Sequence, residues 1–199
     1  MQNISRQKAI SNILKKYSAE FEHAQKVKNL ALLLFDKTRE IFHNLGENER
    51  DLLEAGALLH DIGYYVDKKD HHKHSCALIM QEHPEEFTEE EIKIIANIAR
   101  YHRGKMPRNS HKCFSALDND KDRELVKKLG AIVRIADGLD RGHVSAIEDL
   151  NCFYDSFSNI FYIILESKHF SCQLEMLAIE NKKDLFEKVF NVQVKVRLN

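Results

Sequence analysis

Apolar residues recur at helical spacing through most of the first 143 residues, and this periodicity constrains the fold more than any other feature. Only 7 Gly and 2 Pro occur in 199 residues, so regular structure has few points at which it must stop. The spacing predicts helices over residues 5–17, 19–42, 48–60, 75–83, 88–102 and 122–139. Polar loops at 64–74 and 103–121 separate the middle helices. We therefore expect a helical bundle over residues 1–143.

Several residues are placed to begin or end these helices. Thr88 and Glu91 have the spacing of a capping box, in which each side chain accepts from a backbone amide of the first turn. Asn48 and Ser75 are predicted to cap the helices that follow them. Gly63 is predicted to terminate the third helix, because glycine readily takes the left-handed conformation of a helix stop.

The pattern changes in the last quarter of the chain. Residues 159–166 hold β-branched and aromatic side chains, and residues 192–198 alternate apolar with polar, so both stretches predict strands. Residues 172–190 between them have helical spacing. The sequence therefore predicts a mainly α-helical protein, with a helical domain at 1–143 and a small C-terminal α/β subdomain at 144–199 that contains an antiparallel or mixed sheet.

The composition excludes several classes of protein. Thirty Lys and Arg nearly balance 31 Asp and Glu, so no global charge attracts nucleic acid or an anionic membrane. The four cysteines are widely separated with no CxxC pair, which argues against a zinc ribbon or a disulfide framework and suits a reducing cytoplasm. The polar N-terminus does not resemble a signal peptide, and no apolar run approaches ~18 residues. We expect a soluble cytoplasmic protein.

Histidine and aspartate recur where the helical stripes point inward. His23, His102 and Asp137 lie on such stripes, and His60 and Asp61 follow an apolar run at a helix end. Burying an ionised Asp or several imidazoles costs on the order of several kcal/mol unless they are paired or bind a metal. A single inward histidine is more often an ordinary core residue, but this set predicts a centre for a divalent metal. The histidines expected to be ordinary surface or packing residues are His43, His83, His111, His143 and His169.

The order of His23, His60-Asp61 and Asp137 resembles the HD superfamily of metal-dependent phosphohydrolases, whose helical core gathers these four residues around a metal. The closer similarity is to the third, HD-like domain of the exopolyphosphatase / guanosine pentaphosphate phosphohydrolase family (Ppx/GppA). The matching stretches are ERDLLEAGALLHDIGYYV at 49–66, HHKHSCALI at 71–79, IANIARYHRG at 95–104, AIVRIADGLDRGH at 131–143 and FEKVFNVQVKV at 186–196. The resemblance covers nearly the whole chain and implies an HD-domain helical bundle.

The resemblance implies that these four residues hold a divalent metal: Mn, Mg, Fe, Co or Zn. Some HD proteins bind a second ion through two further histidines between the HD pair and the last Asp. His74 and His102 occupy those places here, and Asp61 would then bridge the ions. His71 and His72 are weaker candidates, because they lie in a predicted loop. One and two ions both remain open.

The resemblance further implies a metal-dependent phosphohydrolase that acts on a nucleotide, a guanosine polyphosphate or a polyphosphate. The metal would supply Lewis acidity and a hydroxide. His60, Asp61 and Asp137 form the predicted catalytic set, in which Asp61 or Asp137 relays a proton.

Three basic residues are predicted to bind substrate phosphate: Lys73, Arg103 and Arg141. Arg103 follows a proposed ligand, and Arg141 lies one turn after the last Asp of the set. The planar fork of arginine binds two phosphate oxygens at once. The alternative for each residue is an ordinary solvated surface charge.

Two departures from the family leave a second interpretation open. Full-length members carry an N-terminal actin-like ATPase-fold module to which their chemistry is attributed, and these 199 residues do not include one. Many HD enzymes also have a Lys shortly after the HD pair, where this chain has Ile62, Gly63 and Tyr64. The alternative is a catalytically weak, phosphate- or nucleotide-binding or regulatory module. We also expect a homodimer, because the matching domain lies at the dimer contact of the larger enzymes.

Overall fold

Helices form most of the protein, and a small sheet lies at its C-terminal end. The fold is given by a computed structural model, which describes residues 2–167 and 172–199. In the described part, the helices are α1 Gln2–Lys16, α2 Phe21–Thr38, α3 Glu47–Leu58, α4 His71–Glu82, α5 Glu89–Arg100, α6 Lys112–Ser115, α7 Asp120–Leu139, α8 Gln173–Glu180 and α9 Asp184–Phe190. The strands are β1 Ile147–Asp155, β2 Ile160–Ser167 and β3 Gln193–Leu198. The predicted fold class, mainly α with a small C-terminal α/β appendage, is confirmed.

Two of the predicted N-terminal caps, Asn48 and Ser75, differ from the structure. The helix α3 begins one residue before Asn48, and the carboxylate of Glu49 accepts from the backbone amide of Gly46 at 2.8 Å. The helix α4 begins at His71 rather than Ser75. The hydroxyl of Ser75 is buried and accepts from the backbone amide of Gly63 at 2.9 Å. Ser75 therefore joins two segments and does not cap a helix.

Gly63 is required for a close approach rather than for a left-handed turn. It lies in a 3-10 turn over Ile62–Tyr65, whereas Gly104 is the glycine with positive φ among the described residues. A Cβ at Gly63 would lie 2.0 Å from the carbonyl oxygen of His71 and 2.5 Å from the amide nitrogen of Ser75. The missing side chain therefore lets the start of α4 pack directly against the turn that follows Asp61.

The capping box that opens α5 is confirmed. The amide of Glu91 donates to the hydroxyl of Thr88 at 3.2 Å, and the amide of Thr88 donates to the Glu91 carboxylate at 2.9 Å.

The helix α2 ends at Thr38, four residues earlier than predicted. Its last turn is closed by the hydroxyl of Thr38, which donates to the carbonyl of Leu34 at 2.7 Å.

The long helix α7 lies at the centre of the molecule. It packs against α2, α3 and α5 on one side and against α8 and α9 on the other. All but two of its residues from Leu125 to Leu139 are buried. The two predicted units, 1–143 and 144–199, therefore share one apolar core, which includes Phe161 and Phe186.

The sheet is mixed, as expected, with strand order β1-β2-β3. The strand β1 runs antiparallel to β2, whereas β3 runs parallel to it and pairs Phe161 with Val194. Both α8 and α9 lie in the connection between β2 and β3, so the segment predicted as one helical stretch is two helices joined by a turn. The strand β1 was not predicted, because a register shift between Ile147 and Asp149 breaks its alternation. None of the helices described is both long and apolar enough to span a membrane.

Candidate metal centre

Five segments of the helical part bring histidine and aspartate side chains together. Each residue lies near a helix end or its flanking turn, so short stretches of backbone fix all of them. The residues are His23 in the first turn of α2, His60 and Asp61 after α3, His71 at the start of α4, His102 after α5 and Asp137 in the last turn of α7. The four imidazoles are almost completely buried, whereas the Asp61 side chain keeps 15% of its surface exposed to a cleft.

Asp61 lies between two pairs of imidazoles. Its Oδ2 atom is 3.3 Å from Nε2 of His60 and 3.7 Å from Nε2 of His23. Its Oδ1 atom is 3.2 Å from Nε2 of His71 and 3.5 Å from Nε2 of His102. The first group of candidate ligands is His23, His60 and Asp61, and the second group is Asp61, His71 and His102. Within each group the ligand atoms lie within 4.8 Å of one another, which is close enough to hold one ion. The two groups share the Asp61 carboxylate.

Hydrogen bonds fix the orientation of all four imidazoles. Each ring has an oxygen acceptor at Nδ1, so the Nδ1 atom carries a proton and the Nε2 atom, which points towards Asp61, is the nitrogen that would bind an ion. The acceptors are the carbonyl of Ala57 for His60 at 2.7 Å, that of Ala99 for His102 at 2.6 Å, that of Lys68 for His71 at 3.0 Å and the carboxylate of Asp140 for His23 at 2.8 Å.

These inward atoms form a set that could hold a cation. The Nε2 atoms of His71 and His102 are 3.2 Å apart, and two neutral rings with protonated Nδ1 atoms would direct lone pairs at each other. Among the residues described, Nε2 of His60 and Oδ1 of Asp61 are buried without a hydrogen-bond partner. Unpaired buried polar atoms are destabilising, and a bound ion would satisfy these. The donor set of imidazole nitrogen and carboxylate oxygen fits a divalent metal.

The carboxylates of the centre are ionised. Burial raises the pKa of Asp61, but the neighbouring rings of His60, His71 and His102 outweigh it and hold that pKa well below its usual value. Burial likewise raises the pKa of Asp137, but Lys182 and His23 outweigh it and the net pKa is strongly lowered. Two ionised carboxylates at neutral pH favour a cation at the centre.

Two histidines of the centre, His23 and His102, show opposite pKa shifts. Burial lowers the pKa of His23, but hydrogen bonds to Asp137 and Asp140 outweigh it, and the net pKa is raised to about 9. For His102, burial is the dominant cause and its pKa is lowered well below the usual value. The His102 ring is therefore neutral at physiological pH, whereas an ion at His23 would have to displace a proton.

Asp137 faces the first of the two groups. Its Oδ1 atom is 3.5 Å from Nε2 of His23 and 3.9 Å from Nε2 of His60. Its Oδ2 atom accepts from the ammonium of Lys182, which comes from the turn between α8 and α9. Sequence reasoning missed Lys182, because a turn residue in the C-terminal unit follows no apolar stripe.

Asp140 is a second residue that sequence reasoning missed. Besides orienting His23, its carboxylate accepts from the backbone amide of Ser145 at 2.9 Å. The residue is 2% exposed. A signal existed in the sequence, because Asp140 lies three residues after Asp137 and three-residue spacing returns to the same side of a helix.

Of the other predicted ligands, the structure brings His71 rather than His74 to the centre. His74 is half-buried and contributes to neither group among the described residues. The reason is the earlier start of α4, which makes His71 the helical residue that lies against Asp61. His72, the other weaker candidate, is also half-buried and outside both groups described.

The basic residues predicted to bind phosphate separate into two sets. Arg103 and Arg141 line the cleft above the centre. Lys73 is exposed and forms an ion pair with Asp70 at 2.9 Å. It is not among the residues that line this cleft in the described part of the chain.

The cleft has a volume of about 440 Å³ and a basic wall formed by Arg103, Arg141 and Lys182. Arg134 also lines it, but this guanidinium is paired with Asp184 and with the carbonyl of Gly104. The cleft shares Asp61, Arg103 and Arg141 with a second cavity of about 1130 Å³. A solvent-open cleft with a basic wall above this candidate metal centre suits an anionic ligand.

The remaining histidines have several environments. The ring of His143 stacks on that of His23 at 3.9 Å between centroids, so it supports a proposed ligand. His43 is buried against Thr38, and His111 bonds to the hydroxyl of Tyr101. His83 is exposed. His169 lies outside the described residues.

The sequence over residues 5–183 matches the family described as Ppx/GppA phosphatase, domain III. The chain therefore belongs to this family, as its motifs predicted. It is similar to the guanosine-5'-triphosphate,3'-diphosphate pyrophosphatase of Pseudoalteromonas translucida (strain TAC 125), with 28% identity over 131 residues. The match covers 66% of this chain and 25% of that relative, so the chain spans about a quarter of the relative's length. Membership of the wider HD superfamily stays a prediction.

Proposed function

We propose that this chain is a metal-dependent phosphohydrolase of the HD type, with two divalent ions at Asp61, and that it acts on a nucleotide, a guanosine polyphosphate or a polyphosphate. One observation carries the proposal: each carboxylate oxygen of Asp61 faces two imidazole Nε2 atoms whose Nδ1 atoms are held by oxygen acceptors. The pyrophosphatase named among its relatives supports a phosphoanhydride as the bond that is cleaved.

The residues divide between the two ions according to their positions. The first ion would be held by His23, His60, Asp61 and Asp137. The second ion would be held by Asp61, His71 and His102. Bound at these positions, the two ions would supply Lewis acidity and a deprotonated water near neutral pH.

The remaining groups orient the ligands and the substrate. Asp140 and the stacked ring of His143 hold His23, and the ring of Tyr64 stacks on His71 at 4.0 Å between centroids. Asp61 and Asp137 are ionised before the reaction, and one of these two carboxylates would accept the proton that the attacking water gives up. Arg103 and Arg141 bind and orient the phosphoryl oxygens from the wall of the cleft.

One observation favours a second candidate, a phosphate- or nucleotide-binding or regulatory module with little activity. The ammonium of Lys182 neutralises one oxygen of Asp137 and so competes with an ion at the first group. The chain also spans only a quarter of the catalytic relative to which it is similar. A module of this kind would bind a phosphate-containing ligand without hydrolysing it.

Phosphate release after controlled loading with metal distinguishes the two candidates. Metal-stripped protein is reloaded with Mn, Mg or Co and assayed on nucleotides, guanosine polyphosphates and short polyphosphates. We expect release that requires the metal and falls about 100-fold or more in Asp61→Asn, because that carboxylate serves both ions. The matched control is His74→Ala, which should keep its rate. Metal uptake and phosphate binding without turnover would favour the binding module.

The assembly and the location are part of the proposal. All four cysteines are unpaired thiols, which is compatible with the proposed reducing cytoplasm. The proposed homodimer is tested by the mass in solution, measured by light scattering on a sizing column. A mass near 23.2 kDa would contradict it.

A further inference from the structure

The turn between α8 and α9 places one lysine in the cleft of the metal centre. The Nζ atom of Lys182 contacts Oδ2 of Asp137, and the side chain is 18% exposed. Arg103 and Arg141 line the same cleft from the helical part. The C-terminal unit therefore contributes a cation to a site whose proposed metal ligands and other basic-wall residues lie before residue 144.

Contacts with α8, β3 and α7 fix the position of the turn that carries Lys182. Its amide and that of Lys183 both donate to the carbonyl of Ile179, at 2.9 and 2.8 Å. The ammonium of Lys183 donates to the carbonyl of Val194 at 3.0 Å, which holds the turn to β3. The stem of Lys182 packs against α7, where a Cβ at Gly138 would lie 3.4 Å from its Cδ atom.

The ammonium of Lys182 has hydrogen-bond donors that its contact with Asp137 does not use. A lysine ammonium has three donors, and the Oδ2 atom accepts one of them. The basic wall of the cleft holds three cations from separate segments: Arg103, Arg141 and Lys182. By contrast, Arg134 is already bonded to Asp184 and Gly104. Lys182 alone of the three touches a proposed metal ligand, among the contacts that the described residues make.

We propose that Lys182 is a phosphate-binding residue of this site: its ammonium holds a phosphoryl oxygen of the substrate while it stays paired with Asp137. As a contribution to turnover, this role rests on the proposed function. Phosphate binding by Lys182 is a separate property, which can be measured in the absence of any reaction. A compact ammonium acts on phosphate as a point charge, and a ligand that reaches the ions would also reach this charge.

The test is a calorimetric titration of inorganic phosphate into the parent protein and into variants, both metal-stripped and loaded with Mn. Lys182→Met removes the charge but keeps a long stem over Gly138, and Lys182→Arg keeps the charge. The control is Lys188→Met on α9, which removes the same charge beside a separate cavity. The number of bound Mn ions is counted for each protein.

We expect phosphate to bind Lys182→Met about tenfold more weakly than the parent, with an unchanged number of Mn ions. Lys182→Arg should recover most of this loss, and Lys188→Met should match the parent. Unchanged phosphate affinity in a folded Lys182→Met would overturn the proposal. A loss of Mn that accompanies the loss of phosphate would also overturn it, because Lys182 would then only position Asp137. If the parent takes up no Mn, the proposed function fails, and the metal-free titrations still test Lys182.

Discussion

At the scale of single residues, the buried histidines have two different roles. Four of them direct Nε2 towards Asp61 and are ligands in our proposal. His43 is buried away from the centre, where its Nδ1 accepts from the amide of Leu45 at 3.3 Å and its Nε2 lies 3.1 Å from the Thr38 hydroxyl. Its ring packs on Phe35. His43 therefore supports the fold as a neutral ring.

This neutral ring makes the stability of the protein depend on pH. Burial, together with the charges of Lys128 and Arg39, lowers the pKa of His43 to about 4. Below the unfolded pKa of about 6.5, the unfolded chain binds this proton more readily than the folded protein does. The stability is therefore complete above that value and is lost as the pH falls towards 4.

We expect the free energy of unfolding of the metal-stripped protein to fall by about 2 kcal/mol between about pH 7 and pH 5 through this residue. Urea unfolding at both pH values gives the difference, and His43→Gln serves as the comparison because glutamine does not titrate. A pH dependence as steep in His43→Gln as in the parent would assign the loss to other groups.

At the scale of elements, the approach of α4 to the turn after Asp61 decides where His71 lies. Gly63→Ala would place a methyl group against the backbone of α4, which cannot move aside as a flexible side chain can. We expect the free energy of unfolding to fall by about 2 kcal/mol or more. Urea unfolding measures it. In the control Gly46→Ala, the nearest atom would be the flexible Glu49 carboxylate at 3.4 Å, and we expect a change below about 1 kcal/mol.

The same elements show what the sequence could predict. Long apolar stripes identified α2, α5 and α7, and with them His23, His102 and Asp137, because helix burial follows a regular period. Short-range signals were less reliable, since Ser75 could cap a helix or bond across to Gly63. Only the tertiary contact distinguishes these two roles. The start of α4 and the position of His71 were therefore not predictable from local patterns.

At the scale of the whole molecule, the C-terminal unit continues the core of the helices. The ring of Phe186 on α9 stacks on Phe161 of β2 at 5.4 Å between centroids and lies edge-on to Phe42 of the helical part. Sequence patterns predicted both units but not this contact, because periodicity does not specify partners. The turn that carries Lys182 is fixed by the same packing.

A shared core predicts that the protein unfolds as one cooperative unit. The calorimetric and van't Hoff enthalpies of thermal unfolding should agree for the metal-stripped protein. Phe186→Ala should lower the free energy of unfolding by about 3–5 kcal/mol and shift this single transition as a whole. A second transition in the parent, or a variant that loses only part of its structure, would show that the two units fold separately.

The number of ions at Asp61 tests the account most directly. Titration calorimetry with Mn on the metal-stripped parent, His71→Ala and His74→Ala counts the ions, and circular dichroism confirms that each variant is folded. We predict about two ions in the parent and in His74→Ala, and about one in His71→Ala, because the His71 ring, unlike that of His74, belongs to the group that faces Oδ1 of Asp61. A single ion in all three proteins, or the loss of an ion in His74→Ala but not in His71→Ala, would contradict the two-ion centre.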